Sequence, residues 1–155
     1  MIVKYIKRFD IAALERKQAV ANKIIGEIVR VRLDGAGVKA VLVSSGMPVF
    51  LDPAIVNSVQ VLSVFGVDNI EFFGSTDGKH ILLFDIEGRD TWVDRWSRLV
   101  VAVDKIDSDF FSLSPCVFDG IISSFDLAIA NKLPGIIVRV PGDKTVYHVK
   151  NKDKF

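Results

Sequence analysis

The stretch that decides the predicted fold is MPVFLDPAIVNSVQVLSVFGVDNIEFFGSTDGKHILLFDIEG, residues 47–88. It begins with a short apolar strand and continues into a helix. Asp52 and Pro53 form a typical helix start, because the carboxylate can accept the first amide hydrogens and proline has no amide to leave unpaired. We expect the helix to cover 54–65 and to end at Gly66, which suits a left-handed cap.

The second half of this stretch predicts a hairpin. Strand-like runs at 69–74 and 79–87 lie on either side of Asp77 and Gly78. An Asp-Gly pair is a strong signal for a tight turn between antiparallel strands. Residues 47–88 therefore have the order strand, helix, strand, strand.

The same order is predicted at the start of the chain. Residues 1–8 alternate like a strand, and 11–25 carry apolar side chains at helical spacing. A hairpin with strands at 27–33 and 38–44 follows. In its first strand, apolar side chains alternate with Arg30 and Arg32, so one face is expected to be core and the other to carry two guanidinium groups.

The end of the chain repeats the pattern a third time. A Ser-Pro pair precedes a predicted helix over 116–133, and a hairpin with strands at 136–140 and 145–150 closes the unit. The segment between the second and third units is less regular. Its two tryptophans, Trp92 and Trp96, are spaced for a helix, so we predict a strand or short helix there and then a strand over 98–106.

These elements predict an α+β fold made of repeated β-α-β-β units. Three amphipathic helices are expected to cover one face of a curved antiparallel sheet. We divide the chain into 1–95, with two units, and 96–155, with a connector, the third unit and a basic tail, within one continuous domain.

The repeated order resembles the building unit of the DNA sliding clamps, which are ring-shaped processivity factors. The resemblance is best at VFLDPAIVNSVQVLSVFGVDNIEFFGSTDGKHILLFDIEG and FSLSPCVFDGIISSFDLAIANKLPGIIVRVPGDKTVYHVK. It implies a sliding-clamp-like fold, a role in DNA replication and assembly into a homo-oligomer. In that family the helices present Lys and Arg to the duplex, and an outer apolar pocket takes partner peptides. This chain has three such units, whereas clamp subunits contain at least four.

Charge is distributed unevenly along the chain, although the formal net charge is only +1. Residues 1–39 hold nine Lys and Arg against four Asp and Glu, 40–131 hold five against thirteen, and 132–155 hold six against two. Basic ends around an acidic middle indicate an anionic partner, although an ordinary solvated basic face remains open. The predicted nucleic-acid-binding residues are Lys4, Lys7, Arg8, Arg16, Lys17, Lys23, Arg30, Arg32, Arg139, Lys144 and Lys150. Tyr5 and Tyr147 are candidate stacking surfaces beside them.

No motif in the sequence predicts catalysis. His80, His148 and Cys116 lack the spacing of a metal site, and no glycine-rich phosphate loop or nucleophile elbow is present. Asp85 and Glu87 lie on one face of a predicted strand, so a metal-dependent hydrolase remains a minor alternative. We predict that the chain is not an enzyme and has no metal and no cofactor.

The predicted function is that of a non-enzymatic protein that binds the phosphate backbone of DNA or RNA. The alternative is a protein-interaction or scaffold module whose apolar surface, including Trp92 and Trp96, binds partners or further copies of the chain. No apolar run approaches the roughly 20 residues of a membrane span. The single cysteine excludes an internal disulfide. We therefore expect a cytoplasmic protein.

Overall fold

The two ends of the chain meet in one sheet. The structure is a computed structural model that describes residues 2–34, 37–57, 70–106, 108–117 and 120–151. It divides into unit 1, formed by Met1–Gly26 and Ser114–Phe155, and unit 2, formed by Glu27–Leu113. Unit 2 is therefore inserted between the two halves of unit 1.

The described residues form ten strands and four α-helices. In chain order the strands are β1 (Ile2–Ile6), β2 (Val20–Lys23), β3 (Glu27–Asp34), β4 (Gly37–Leu42), β5 (Glu71–Thr76), β6 (Ile81–Ile86), β7 (Phe111–Leu113), β8 (Cys116–Val117), β9 (Gly135–Arg139) and β10 (Thr145–Lys150). The helices are α1 (Ile11–Glu15), α2 (Pro53–Asn57), α3 (Trp92–Ile106) and α4 (Ile121–Ala130), and a short 3-10 helix covers Arg8–Asp10. The predicted division at residues 95 and 96 would fall inside α3.

Unit 1 is a five-stranded sheet with the order β1-β10-β9-β2-β8. β1 runs parallel to β10, and the other neighbours are antiparallel. Ile11 of α1 and Ile121 and Phe125 of α4 pack against one face of this sheet, on buried residues such as Val138. Glu15 joins the two helices, since its carboxylate accepts the backbone N–H of Ile121 at 3.1 Å.

Unit 2 is a second five-stranded sheet with the order β4-β3-β5-β6-β7. Its core lies under α3, where Leu99 and Ile106 pack against buried side chains of β3 such as Val31. β6 and β7 are parallel, and α3 connects them. The predicted alternation in β3 is confirmed, because Val29, Val31 and Leu33 are fully buried whereas Arg30 and Arg32 are exposed.

The three predicted hairpins are confirmed with small shifts at their ends. β3 pairs with β4, β5 with β6, and β9 with β10, all antiparallel. The start of the second helix is also confirmed, since Asp52 accepts the backbone N–H of Ala54 at 2.9 Å. The remainder of the helix predicted over 54–65, from residue 58 onward, lies outside the described residues.

The helix predicted over 11–25 is wrong beyond its first turns. α1 ends at Glu15, Gln18 takes a positive φ of 57°, and the chain continues as β2. Val20 and Ala21 are each 2% exposed although their side chains point to opposite faces of the sheet. Because both faces are buried, the sequence here lacks the alternation that identifies a strand, and a continuous apolar run is ambiguous.

The strand predicted over 98–106 is also wrong, because these residues belong to α3. Leu99, Ala102 and Ile106 are buried at the three- and four-residue spacing of a helix, whereas Val100 and Val101 are exposed. The β-branched valines suggested a strand, but the helical spacing of the buried positions decides the structure.

The predicted single antiparallel sheet with helices on one face is confirmed only as an α+β fold. Each unit has its own sheet, and each sheet is mixed, with one parallel pair. The third predicted helix is shorter than expected, because Cys116 and Val117 form β8 and α4 starts at Ile121. The repeated β-α-β-β organisation is therefore not confirmed.

A buried ion pair joins α3 to β6. The Asp85 carboxylate accepts the Nε–H of Arg95 at 3.0 Å and the backbone N–H of Ile86 at 2.8 Å. The Asp85 and Arg95 side chains are only 6% and 19% exposed. Arg98 and Asp90 form a second pair at 2.9 Å near the start of the same helix, but that pair is much more exposed.

We predict that Asp85→Ala lowers the free energy of unfolding by about 3 to 5 kcal/mol, because it leaves the Arg95 guanidinium buried without its counter-charge. Asp90→Ala is the matched control and should have a much smaller effect, because water already screens the exposed pair. Urea denaturation of both variants measures the difference. Equal losses of stability would contradict the structural role given to Asp85.

Candidate nucleic-acid interface

The two units carry opposite net charge. Unit 1 contains twelve Lys and Arg against six Asp and Glu, a net charge of +6, whereas unit 2 contains eight against thirteen, a net charge of −5. Nine of the eleven predicted binding residues belong to unit 1, and the other two, Arg30 and Arg32, belong to unit 2. Because both chain ends fold into unit 1, most of the basic charge of the ends belongs to this unit.

Two of the nine residues in unit 1, Arg8 and Arg139, have guanidinium groups that are paired or buried. Arg8 donates two hydrogen bonds of 2.9 Å to the carboxylate of Asp126. This guanidinium holds the pKa of the Asp126 carboxyl below its usual range. Arg139 is only 3% exposed. Neither guanidinium is therefore presented to solvent as an unengaged phosphate contact.

The remaining basic side chains of unit 1 are more accessible. We call the exposed members without a described ion pair the unit 1 cations, and they are Lys4, Lys7, Arg16, Lys17, Lys23, Lys132 and Lys144. In the described part of the chain, none of them forms an ion pair with a carboxylate. Lys132 is not among the predicted binding residues. It lies just beyond the end of α4, where no local pattern distinguishes it from any other surface lysine.

A tyrosine, a histidine and a lysine meet where β1 pairs with β10. The Lys150 ammonium lies 3.9 Å from the centre of the Tyr5 ring. The His148 ring lies 5.4 Å from the Tyr5 ring at an angle of 49°. Tyr5 is 52% exposed, whereas His148 is 3% exposed. We call these three residues the Tyr5 cluster.

The environment of His148 favours its neutral form. Burial lowers the pKa of this histidine to about 4, a contact with the Pro134 carbonyl opposes the shift, and the nearby Lys150 charge adds to it. The imidazole Nε2 lies 3.4 Å from that carbonyl oxygen. At neutral pH His148 therefore acts as a packed aromatic group rather than as a cation.

The two predicted stacking tyrosines lie on different faces of the sheet of unit 1. Tyr147 is partly buried and packs against the core beneath α1 and α4. Tyr5 faces the other way, together with His148 and Lys150, because side chains alternate along a strand. Tyr5 is thus the member of the pair that has an open ring surface.

Unit 2 has a smaller basic patch on the outer face of β3 and β4. We call it the β3–β4 patch, and it contains Arg30, Arg32 and Lys39, all exposed. Arg32 is directly opposite Lys39 in the register, and Glu71 of β5 is opposite Arg32 on the other side. The Glu71 carboxylate lies 3.4 Å from Arg30. Of the described ion pairs, the one between Glu71 and Arg30 belongs to this patch.

Asp85 and Glu87, the acidic pair that suggested a hydrolase, both make structural interactions. Asp85 is the ion-pair partner of Arg95, and Glu87 accepts the backbone N–H of Glu71 at 3.3 Å. Among the residues that the structure describes, no group of three or more His, Cys, Asp and Glu side chains is arranged to hold a metal ion. Cys116 is half-buried, and burial raises the pKa of its thiol.

No helix in the described ranges combines the length and the apolar character needed to cross a membrane. No protein-family model and no curated protein matches this chain. Comparison with solved structures, in contrast, gives clear matches of fold.

The matching structures include ligases. Pmar-Lig_PreS3 aligns with a TM-score of 0.69 and 10% identity over 97% of this chain and 46% of its own length. The ligase domain from M. tuberculosis LigD aligns with a TM-score of 0.61 and 14% identity over 97% of this chain and 59% of its own. A mycobacterial DNA ligase D complexed with ATP and MES has a TM-score of 0.60, 15% identity and the same coverage of 97% and 59%. The chain thus spans about half the length of the structures it matches.

These matches correct two predictions. The resemblance to sliding clamps is wrong, because the structures that share this fold are ligase domains and not clamp subunits. The prediction that the chain is not an enzyme is overturned as well, because the fold is shared with a DNA ligase that was solved with ATP. At 10 to 15% identity the likeness shows the fold alone.

The buried state of His148 predicts a pH-dependent stability. The pKa of His148 is about 4 in the folded chain, against an ordinary value of 6.5. Between these two pH values the unfolded chain binds a proton that the folded chain does not. Stability should therefore fall as the pH decreases from 6.5 to 4, by about 3 kcal/mol from this residue. Urea denaturation at several pH values measures it.

His148→Gln should remove this part of the pH dependence. His80→Gln is the matched control, because the His80 side chain is 59% exposed, and it should leave the wild-type profile in place. If His148→Gln kept the wild-type dependence of stability on pH, the buried neutral state given to His148 in the Tyr5 cluster would be contradicted.

Proposed function

We propose that this chain is a nucleic-acid-associated protein that contacts the phosphate backbone of DNA or RNA. The contacts are made by the unit 1 cations, with the β3–β4 patch as an additional set. The observation that carries the proposal is the net charge of +6 on unit 1, with exposed Lys and Arg side chains that form no ion pair with a described carboxylate.

Surface cations without a carboxylate partner are the groups from which phosphate binding gains most. Each Lys or Arg that neutralises a phosphate releases condensed counterions, and this release makes affinity strongly salt-dependent. A cation that already has a carboxylate partner, such as Arg8 with Asp126, must first give up that partner. Within the described structure, the exposed lysines of unit 1 have no ion pair with a carboxylate to break before they bind phosphate.

The shared fold is a second line of support for the same proposal. The two LigD structures are named as a ligase domain and as a DNA ligase, and each aligns with 97% of this chain. A fold that is used on DNA in those proteins is consistent with a basic unit that binds nucleic acid here. The predicted cytoplasmic location, homo-oligomer and partner-binding apolar surface stay predictions. The role in DNA replication rested on the resemblance to sliding clamps and is not supported.

We predict that the wild-type chain binds a mixed-sequence oligonucleotide with an affinity that falls steeply as salt increases. The triple variant Arg16→Gln, Lys17→Gln, Lys144→Gln should bind more weakly. The slope of log affinity against log salt should decrease by about 1 for each phosphate that the variant no longer neutralises. Fluorescence anisotropy between roughly 50 and 200 mM salt, where the affinity of phosphate binders changes most, measures both quantities.

The matched control neutralises three exposed cations of the acidic unit, Lys79→Gln, Arg89→Gln and Lys105→Gln. It should keep the wild-type affinity and slope although it changes the net charge by the same amount. A flat salt dependence of the wild-type chain, or an equal loss of affinity in both triple variants, would refute the proposed interface.

A second candidate function is an ATP-dependent reaction on nucleic acid. The observation that favours it is the match to a DNA ligase D complexed with ATP. Because this chain spans 59% of that structure, ATP binding is the first step to test. We expect ATP to bind in equilibrium dialysis and to raise the melting temperature. No binding at millimolar ATP would remove this candidate and would leave the phosphate-backbone proposal standing.

A further inference from the structure

The Tyr5 ring is held in a fixed position and still exposes half of its surface. Tyr5 lies on β1, at the edge of the sheet of unit 1, and its backbone is in parallel register with His148 of β10. The ring contacts the His148 ring and lies under the Lys150 ammonium. With both neighbours in place it remains 52% exposed. The open ring surface is therefore part of the folded structure and does not depend on a loop.

Two lysines lie near this ring, both beyond the Tyr5–His148 pair in the direction of the strands. The Lys150 ammonium is 3.9 Å from the ring centre. Lys7 is exposed and follows Tyr5 by two residues in extended backbone, which places its side chain on the same face at roughly 7 Å along the chain. An exposed aromatic ring beside two ammonium groups is complementary to a base beside the phosphates of its own strand.

We propose that Tyr5 is a stacking platform for one unpaired base of a single-stranded nucleic acid, with Lys7 and Lys150 contacting neighbouring phosphates of the same strand. This inference rests on the proposed function and deepens it, because it names a single strand rather than a duplex as the preferred ligand.

The preference follows from what a lone exposed ring can contact. In a duplex each base already stacks on its neighbours, so a protein ring on a flat sheet can reach the backbone but not a base face. In a single strand the base faces are accessible, and stacking on an aromatic side chain adds affinity with little dependence on sequence. Phosphate contacts by Lys7 and Lys150 add the salt-dependent part.

The test compares a single-stranded oligonucleotide with the duplex of the same sequence. Tyr5→Leu should weaken single-strand binding by about 5- to 150-fold, the range expected for the loss of one base stack, and should leave duplex binding unchanged. Tyr5→Phe keeps the ring and should bind like the wild type. Phe50→Leu is the matched control, because Phe50 is an exposed aromatic residue of unit 2, 88% exposed, and its loss should have no effect.

A spectroscopic variant keeps the test independent of whether Tyr5→Leu folds. In Tyr5→Trp the new indole should be quenched when a single strand binds, and an abasic oligonucleotide series should show less quenching where the base is absent. Wild-type single-strand affinity in Tyr5→Leu, or no quenching in Tyr5→Trp, would overturn the stacking platform while salt-dependent binding would still support the proposed function. Loss of salt-dependent binding to every oligonucleotide would overturn both.

Discussion

The structure depends on the parallel pairing of the first strand with the last. β1 and β10 are matched over five residue pairs, from Ile2 opposite Thr145 to Ile6 opposite Val149. The chain ends are separated by the whole of unit 2, so this pairing has the largest sequence separation of any strand pair described. Closing that long loop costs conformational entropy. The burial of Val149 and of the residues beneath α1 and α4 offsets this cost.

The same pairing explains the electrostatics of the molecule. The basic ends of the chain are remote in sequence and share unit 1 because β1 and β2 pair with the two strands of the β9–β10 hairpin. It also creates the Tyr5 cluster, since Tyr5 comes from the beginning of the chain and His148 and Lys150 from the end. A basic, aromatic surface thus arises from topology and not from any local motif, which is why no short signature announces it.

Sequence patterns predicted several elements that have one solvated face. The alternation of Val29 and Val31 with Arg30 predicted the correct strand, and Asp77-Gly78 predicted the correct turn. The patterns failed where burial is two-sided, at Val20 and Ala21, and where valines occupy the exposed face of a helix, at Val100 and Val101.

The basic residues stay a prediction of the binding site. Their division between two units depends on contacts distant in sequence, as does the ion pair of Arg8 with Asp126. No pattern in one sequence reports such contacts. The resemblance to sliding clamps was wrong for the same reason, because it compared the order of elements without their pairing.

The central claim is that unit 1, assembled from both chain ends, is the surface that meets nucleic acid. An NMR titration of the isotope-labelled 17.2 kDa chain with a single-stranded oligonucleotide tests it directly. The account predicts that the largest amide shifts occur in β1 and β10, around Tyr5, Lys7 and Lys150, with smaller shifts at the β3–β4 patch. Shifts confined to α3 and its acidic surroundings, or no shifts at all at low salt, would contradict it.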